Sequence, residues 1–220
     1  MTRAERRQQR REEIARAAWT VLMRDGVRGA SVRAVLAEAQ MTSGAMRYYF
    51  RNHDELLIFA AQHVLEQSTE RIRRRLADQE LTGKERVGAV LAEILPLDAK
   101  RATEITVFVR LAEIDDEAGR GAQLRRSAYE GCRSLAEFAV TELARTAGAD
   151  LPAELKDQII ERFHLTLDGL AYQCVLNPGL LAFEDVAARL AGLLDHLEEE
   201  TNRGASQAGG SVDVPTSWWP

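Results

Sequence analysis

The sequence predicts an all-α protein in two parts, and three observations carry that prediction. Apolar residues recur at spacings of three and four along the long segments, which is the helical period. From Asn52 onward no stretch carries a strand signal. Charge divides the chain: residues 1–53 hold eleven arginines and five acids, a balance of +6, while residues 54–220 carry −11, for a net −5. A chain of 220 residues suffices for one large or two small domains with a substantial core. The expected division is 1–53, 54–200 and a Gly- and Ser-rich tail over 201–220 that lacks the apolar content to fold.

The first helix runs from about Arg3 to Asp25, with Ile14, Ala18, Val21 and Leu22 inward and Gly26 closing it at the position after the C-cap. Ser31 then caps a short helix whose Val32, Val35, Leu36 and Ala39 share a face. After Gln40-Met41-Thr42 comes Ser43-Gly44-Ala45-Met46-Arg47-Tyr48-Tyr49-Phe50-Arg51. Thr42 or Ser43 suits an N-cap, and Gly44 and Ala45 leave the helix start free for close approach. Met46 and Phe50 make a small apolar stripe, whereas Arg47, Tyr48, Tyr49 and Arg51 all donate hydrogen bonds. Taken alone, this reads first as a half-buried aromatic helix at a domain edge. Following a capped short helix and a three-residue turn, it reads as the second helix of a helix-turn-helix, the one that lies in the DNA major groove. The basic charge of the same 53 residues is what phosphate binding requires. The arginine-rich arm from Arg3 to Arg11 is either a solubilising tail or a contact to phosphates or the minor groove.

From about Ile14 to Leu57 the chain resembles the DNA-binding domain of the TetR family of bacterial regulators. The residues that carry the resemblance are Ile14…Ala17-Ala18, Asp25-Gly26, Ser31-Val32-Arg33, Thr42-Ser43-Gly44, Tyr48-Tyr49-Phe50 and Asn52-His53-Asp54-Glu55-Leu56-Leu57. It implies contacts to double-stranded DNA from Ser31, Arg33, Thr42, Ser43, Gly44, Arg47, Tyr48, Tyr49 and His53. The chain departs from the family pattern at Gln40, where Gly is common in the turn, and at Leu36, where a small residue is usual. It departs again at His53, where a phosphate-touching Lys is usual.

Asn52 caps a long helix with Asp54 and Glu55 in its first turn and Leu57, Ala61, Val64, Ile72 and Leu76 inward. Its Arg71, Arg73, Arg74 and Arg75 are expected to be a solvated end paired with Glu66, Glu70 and Asp78, rather than a second DNA patch. Gly83 opens a short helix with Val87, Val90, Leu91 and Ile94, ended by Pro96. The next, about Lys100 to Glu117, is apolar nearly all round between Ile105 and Ala112, which places it centrally. Arg110 interrupts that run and either pairs with Glu113 or Glu104 or projects into a cavity. Another long helix carries Leu124, Ala128, Gly131, Leu135 and Phe138 and ends at Gly148, and Leu151-Pro152 start the one after it.

The last two helices, separated by Asn177-Pro178-Gly179, each bear two stripes. Ile160, Phe163, Leu167, Leu170 and Cys174 lie beside His164, Ala171 and Tyr172; Val186, Leu190, Leu193 and Leu197 lie beside Ala187, Ala191 and Leu194. Such helices can pack on their own core and on a partner at once. From Leu167-Asp168-Gly169-Leu170 through His196-Leu197 the chain is similar to the C-terminal domain of the family's choline-responsive, BetI-like branch. That similarity implies a homodimer joined through Phe163, Leu167, Leu170, Ala187, Leu190, Ala191 and Leu194, bound to a palindromic operator. A cavity for a small organic effector is expected among Phe108, Arg110, Leu111, Tyr129, His164, Asp168 and Tyr172, all of which serve equally well as plain core.

His164 and Asp168 share a helical face, but the sequence holds no nucleophile elbow, phosphate-cradling glycine loop or HExxH pair. No catalytic residue, metal site or cofactor is expected. Cys132 and Cys174 lack metal-ligand spacing and fit reduced thiols. The charged N-terminus lacks the apolar run of a signal peptide, and no segment approaches the roughly 20 apolar residues a membrane span needs. A cytoplasmic repressor released by an effector is the expectation, with a constitutive regulator or a helical scaffold without effector as the alternative.

Overall fold

The computed structural model describes residues 2–42, 52–114 and 119–207. Among these, eight helices form and no strand does: α1 Arg3–Gly29, α2 Val32–Glu38, α3 His53–Ala77, α4 Gly83–Leu91, α5 Ala99–Leu111, α6 Arg120–Ala147, α7 Ala153–Leu176 and α8 Phe183–Gln207. The helix starts follow from local chemistry. Thr2 and Glu5 make a reciprocal capping box on α1, and Asn52 accepts from the Glu55 amide at 2.9 Å to start α3. Asp98 accepts from the Arg101 amide at 2.8 Å to start α5. Gly26, at φ 69°, breaks the helical path of α1 where closure is expected, and one further turn carries the chain to Gly29. Gly148, also left-handed, ends α6, and the Ala149 amide reaches back to the Ala144 carbonyl at 2.8 Å.

Two apolar clusters hold these helices. One gathers Val87, Val90 and Leu91 of α4 with Leu135, Ala139 and Leu143 of α6, Ile159, Phe163 and Leu167 of α7, and Val186, Leu190 and Leu194 of α8. The other gathers Ile14, Ala18, Val21 and Leu22 of α1 with Val35 and Leu36 of α2, Leu56, Leu57, Ala60 and Ala61 of α3, and Val107 and Leu111 of α5. The long helix α3 therefore begins in one cluster and ends against the other, where Ile72 and Leu76 pack.

Three expectations change. The central helix stops at Leu111, with Ala112 as its C-cap, instead of continuing to Glu117. The last helix continues seven residues beyond position 200, to Gln207. Thr201 is fully buried there, and a Cβ at Gly204 would stand 2.6 Å from Leu151, so the helix end lies tightly on the start of α7. Finally, the arginines at the end of α3 divide: Arg73, Arg74 and Arg75 are exposed, as expected, but Arg71 is not. Arg71 is 16% exposed and binds Glu93 at 3.1 Å and Glu104 at 2.6 Å. Its partners stand 22 and 33 residues away, beyond the reach of helix-local pairing. Arg75 also reaches Glu93, and of the expected pairings Arg74–Glu70 forms, at 3.6 Å.

Candidate nucleic-acid interface

The described part of the expected helix-turn-helix, α2 and the turn after it, is built from a cap and a strained turn. Ser31 accepts from the Ala34 amide at 3.1 Å and starts α2, which buries Val35 and Leu36 and leaves Arg33 exposed. The turn after α2 is a Schellman motif. The Met41 amide donates to the Leu36 carbonyl at 2.9 Å and the Gln40 amide to the Ala37 carbonyl at 3.2 Å. Such a turn demands a left-handed residue, and Gln40 supplies it at φ 51°. That is why glycine is common here in the pattern this chain resembles. Leu36 and Met41 both pack on the N-terminal cluster, the apolar contact that accompanies the motif. Arg24 of α1 ties α2 in place through Glu38 at 2.8 Å, and its hydrogen bonds hold the Asp25 carboxyl below the usual range.

The chain leaves this turn at Thr42, which is exposed, and re-enters at Asn52. Ser43, Gly44, Arg47, Tyr48 and Tyr49 lie outside the described residues, as does the His53 side chain. Ser31 and Arg33 stand at the start of α2, and Thr42 stands at the end of the turn that follows it, where the described chain stops.

The seven residues expected around an effector divide. Leu111 is fully buried and Phe108 half-buried, both against the N-terminal cluster, because α5 turns that face toward α1. Arg110 pairs with Glu113 at 2.7 Å, one of the two arrangements open to it. Tyr172 is exposed. Tyr129, His164 and Asp168 do come together: the Tyr129 ring meets the buried His164 edge-on at 4.9 Å, and His164 Nε2 lies 3.4 Å from Asp168 without a hydrogen bond. Burial pushes the Asp168 carboxyl up, against the pull of His164. Burial and the Asp168 charge together push the neighbouring Cys132 thiol up to about 12, so it stays protonated and unreactive at neutral pH. Among the described residues no group of three or more His, Cys, Asp or Glu is placed to hold a metal. A cleft of about 400 Å³ lies elsewhere, between α5 and the α7–α8 junction, and none of the seven residues lines it.

The residues expected at a dimer contact divide too. Phe163, Leu167, Leu190 and Leu194 are buried in the chain's own core, Leu170 packs at its edge, and Ala187 and Ala191 are exposed. The outward stripe of α7 is offset from the expected one. It runs through Leu165 (59% exposed), Gly169, Tyr172 (42%) and Leu176 (56%), with Leu180 just beyond. Its four, three, four spacing was available in the sequence, but the richer inward stripe masked it.

Comparison with known proteins agrees with this geometry. Residues 14–58 match the model of bacterial regulatory proteins of the tetR family, and residues 83–198 match that of the BetI-type transcriptional repressor C-terminal domain. The HTH-type transcriptional regulator PksA of Bacillus subtilis (strain 168) is 33% identical over 172 residues, covering 78% of this chain and 81% of that one. The HTH-type nicotine-responsive transcriptional repressor HdnoR of Paenarthrobacter nicotinovorans is 36% identical over 88 residues, covering 40% of this chain and 43% of that one. Among solved structures, a transcriptional regulator from Saccharomonospora viridis in complex with choline superposes with a TM-score of 0.71 at 16% identity, over 86% of this chain and 97% of that one. One from Rhodococcus sp. Rha1 gives 0.68 at 23%, over 87% and 97%. No helix among the described residues is long and apolar enough to cross a membrane. With the matched models spanning both clusters, and PksA similar through most of its length, the chain belongs to the TetR family of DNA-binding transcriptional regulators and carries a BetI-type C-terminal domain.

Proposed function

We propose that this regulator works as a homodimeric repressor in the cytoplasm, holding a palindromic operator and releasing it when a small organic effector binds the helices beyond α3. The observation that carries the dimer is the outward apolar stripe of Leu165, Tyr172 and Leu176, with Ala187 and Ala191 also exposed on α8. A monomer would leave this stripe in water, and large exposed apolar patches mark interaction sites. Gly169 and the alanines permit close approach of a second copy. Pairing sets the distance between the two DNA-reading segments, which must lie about 34–36 Å apart to enter successive major grooves. In each segment Arg47 is assigned to a base edge and Ser31, Arg33, Thr42, Ser43, Tyr48, Tyr49 and His53 to the backbone, with Gly44 allowing close approach.

Release needs an effector that prefers a different separation, and operator affinity then falls by its differential affinity for the two states. Supporting an effector are the nicotine-responsive HdnoR, the choline-bound neighbour, and a neighbour described as the multidrug binding protein EbrR complexed with imidazole. The link to DNA is physical. α5 buries Val107 and Leu111 against α1, while its Glu104 grips Arg71 of α3.

The test is sedimentation and operator titration of Leu165→Asp and Ala191→Asp. An unpaired charge in the contact should cost about 3–5 kcal/mol of association. Folded, monomeric variants with lost operator binding are expected; a folded variant that stays dimeric overturns the assigned face. Thermal-shift screening of metabolites, followed by operator titration with each hit, tests release.

A further inference from the structure

The cleft between α5 and the α7–α8 junction has its own chemistry. Its volume of about 400 Å³ suits a small molecule, and Val175, Leu181 and Phe183 give it largely apolar walls. Four polar side chains line it, and all four carry acceptors. The Thr103 hydroxyl donates to the Ala99 carbonyl at 2.8 Å and the Thr106 hydroxyl to the Ala102 carbonyl at 2.7 Å. Each hydrogen is thus committed to its own helix, leaving the lone pairs. The buried Cys174 thiol donates to the Leu181 carbonyl at 3.6 Å, and burial pushes its pKa up, so it stays neutral. Glu184 adds a carboxylate at the rim. The last turn of α7, the negative end of its dipole, also borders the space through Cys174 and Val175. The amides that open α8 reach the same rim, but that turn already holds Glu184 and Asp185, and Asp185 accepts from the Ala182 amide at 3.0 Å.

We propose that this cleft binds a small protonated amine with an apolar body, its N–H groups donating to Glu184, Thr103 and Thr106. A neutral molecule would give the Glu184 carboxylate no countercharge, one without donors would also cover the Thr103 and Thr106 lone pairs unpaired, and an anion would meet like charge. An occupant would touch α5 on either side of Glu104, the residue that grips Arg71 of the long helix α3. Any effect on DNA rests on the effector-responsive reading; the site itself does not.

The test is an NMR titration of the isotope-labelled full-length protein at neutral pH with benzylamine, benzyl alcohol and phenylacetate. Benzylamine alone should shift the amides of Thr103, Thr106, Cys174 and Glu184 saturably. Glu184→Gln and Thr106→Val, both near-isosteric, should weaken it, the former by about tenfold. Equal affinity for phenylacetate or benzyl alcohol overturns the proposal, as does unchanged benzylamine affinity in both variants. Operator titration with benzylamine saturating separates the two readings. Unaltered DNA affinity with the cleft occupied leaves the site standing and removes benzylamine as an effector; altered affinity that persists in Glu184→Gln places the responsive site elsewhere.

Discussion

Glu93 is the residue whose loss should cost this fold most for a single change of charge. It is 4% exposed and accepts from Arg71 Nε at 3.1 Å, Arg75 Nε at 2.9 Å and Arg101 Nη2 at 2.7 Å. Replacement by Gln keeps the shape and leaves three arginines facing Glu104 and Asp98. Arg71 retains Glu104, Arg101 retains Asp98, and Arg75, 48% exposed, turns to water. Breaking a buried pair costs about 3–5 kcal/mol, and the retained partners put Glu93→Gln near the lower end, at about 3 kcal/mol. Glu93→Ala, which also opens a void, belongs at the upper end. An exposed pair would lose less than about 1 kcal/mol, so urea denaturation at pH 7 separates the cases. Acid adds a second handle. Burial pushes the Glu93 carboxyl up, but hydrogen bonds from Arg75, Arg101 and Arg71 outweigh it and hold the carboxyl below its ordinary value. A lowered carboxyl stabilises above the unfolded pKa of about 4.3 and loses that contribution as pH falls through the folded value. The gap between wild type and Glu93→Gln should therefore persist to about pH 4.3 and close below it. A loss under about 1 kcal/mol at pH 7, or a gap that acid does not close, refutes the reasoning.

Two further substitutions should stabilise. Gln40→Gly relieves the left-handed turn after α2 and should gain about 1 kcal/mol, read by thermal denaturation; no gain would mean that the Gln40 side chain offsets its own strain. Asp168→Asn should raise Tm at pH 7. Burial raises the folded-state pKa of Asp168, so its carboxyl favours the fold below the unfolded pKa and opposes it as pH rises through the raised value. The two proteins should converge near pH 3, and a lower Tm for Asp168→Asn at pH 7 would make the His164–Asp168 contact a net stabilising one.

Local signals in the sequence were legible and long-range ones were not. Ser31, Asn52, Gly26 and Gly148 act within one helical turn of themselves: the first two and the last stand at helix ends, and Gly26 breaks the path of α1 where its chemistry dictates. The all-helical class followed from the same short-range periods. Arg71 shows the limit: along its own helix no acid stands three or four residues away, yet folding delivers Glu93 and Glu104 from elsewhere in the chain. Leu111 shows another, since an apolar helix announces burial without naming the core it enters. On α7 the period was legible but the phase was not, because two apolar stripes compete and only packing decides which turns inward. The cleft unites a mid-helix segment, a helix end and a loop, a conjunction that no spacing encodes.

The burial of Val107 and Leu111 beside α1 bears on how such regulators exchange parts. Among the described residues of the N-terminal cluster, Leu56, Leu57, Ala60, Ala61, Val107 and Leu111 all come from beyond position 53. A DNA-reading module cut at that point leaves behind much of the surface that closes its own core. A chimera grafting residues 1–53 onto another sensor inherits foreign side chains at those places, and its folding then depends on how well that sensor's central helix fits. Transplanting specificity between family members is thus a matter of interior repacking as much as of choosing recognition residues. Recombination that keeps α3 and α5 with their own α1 avoids that mismatch.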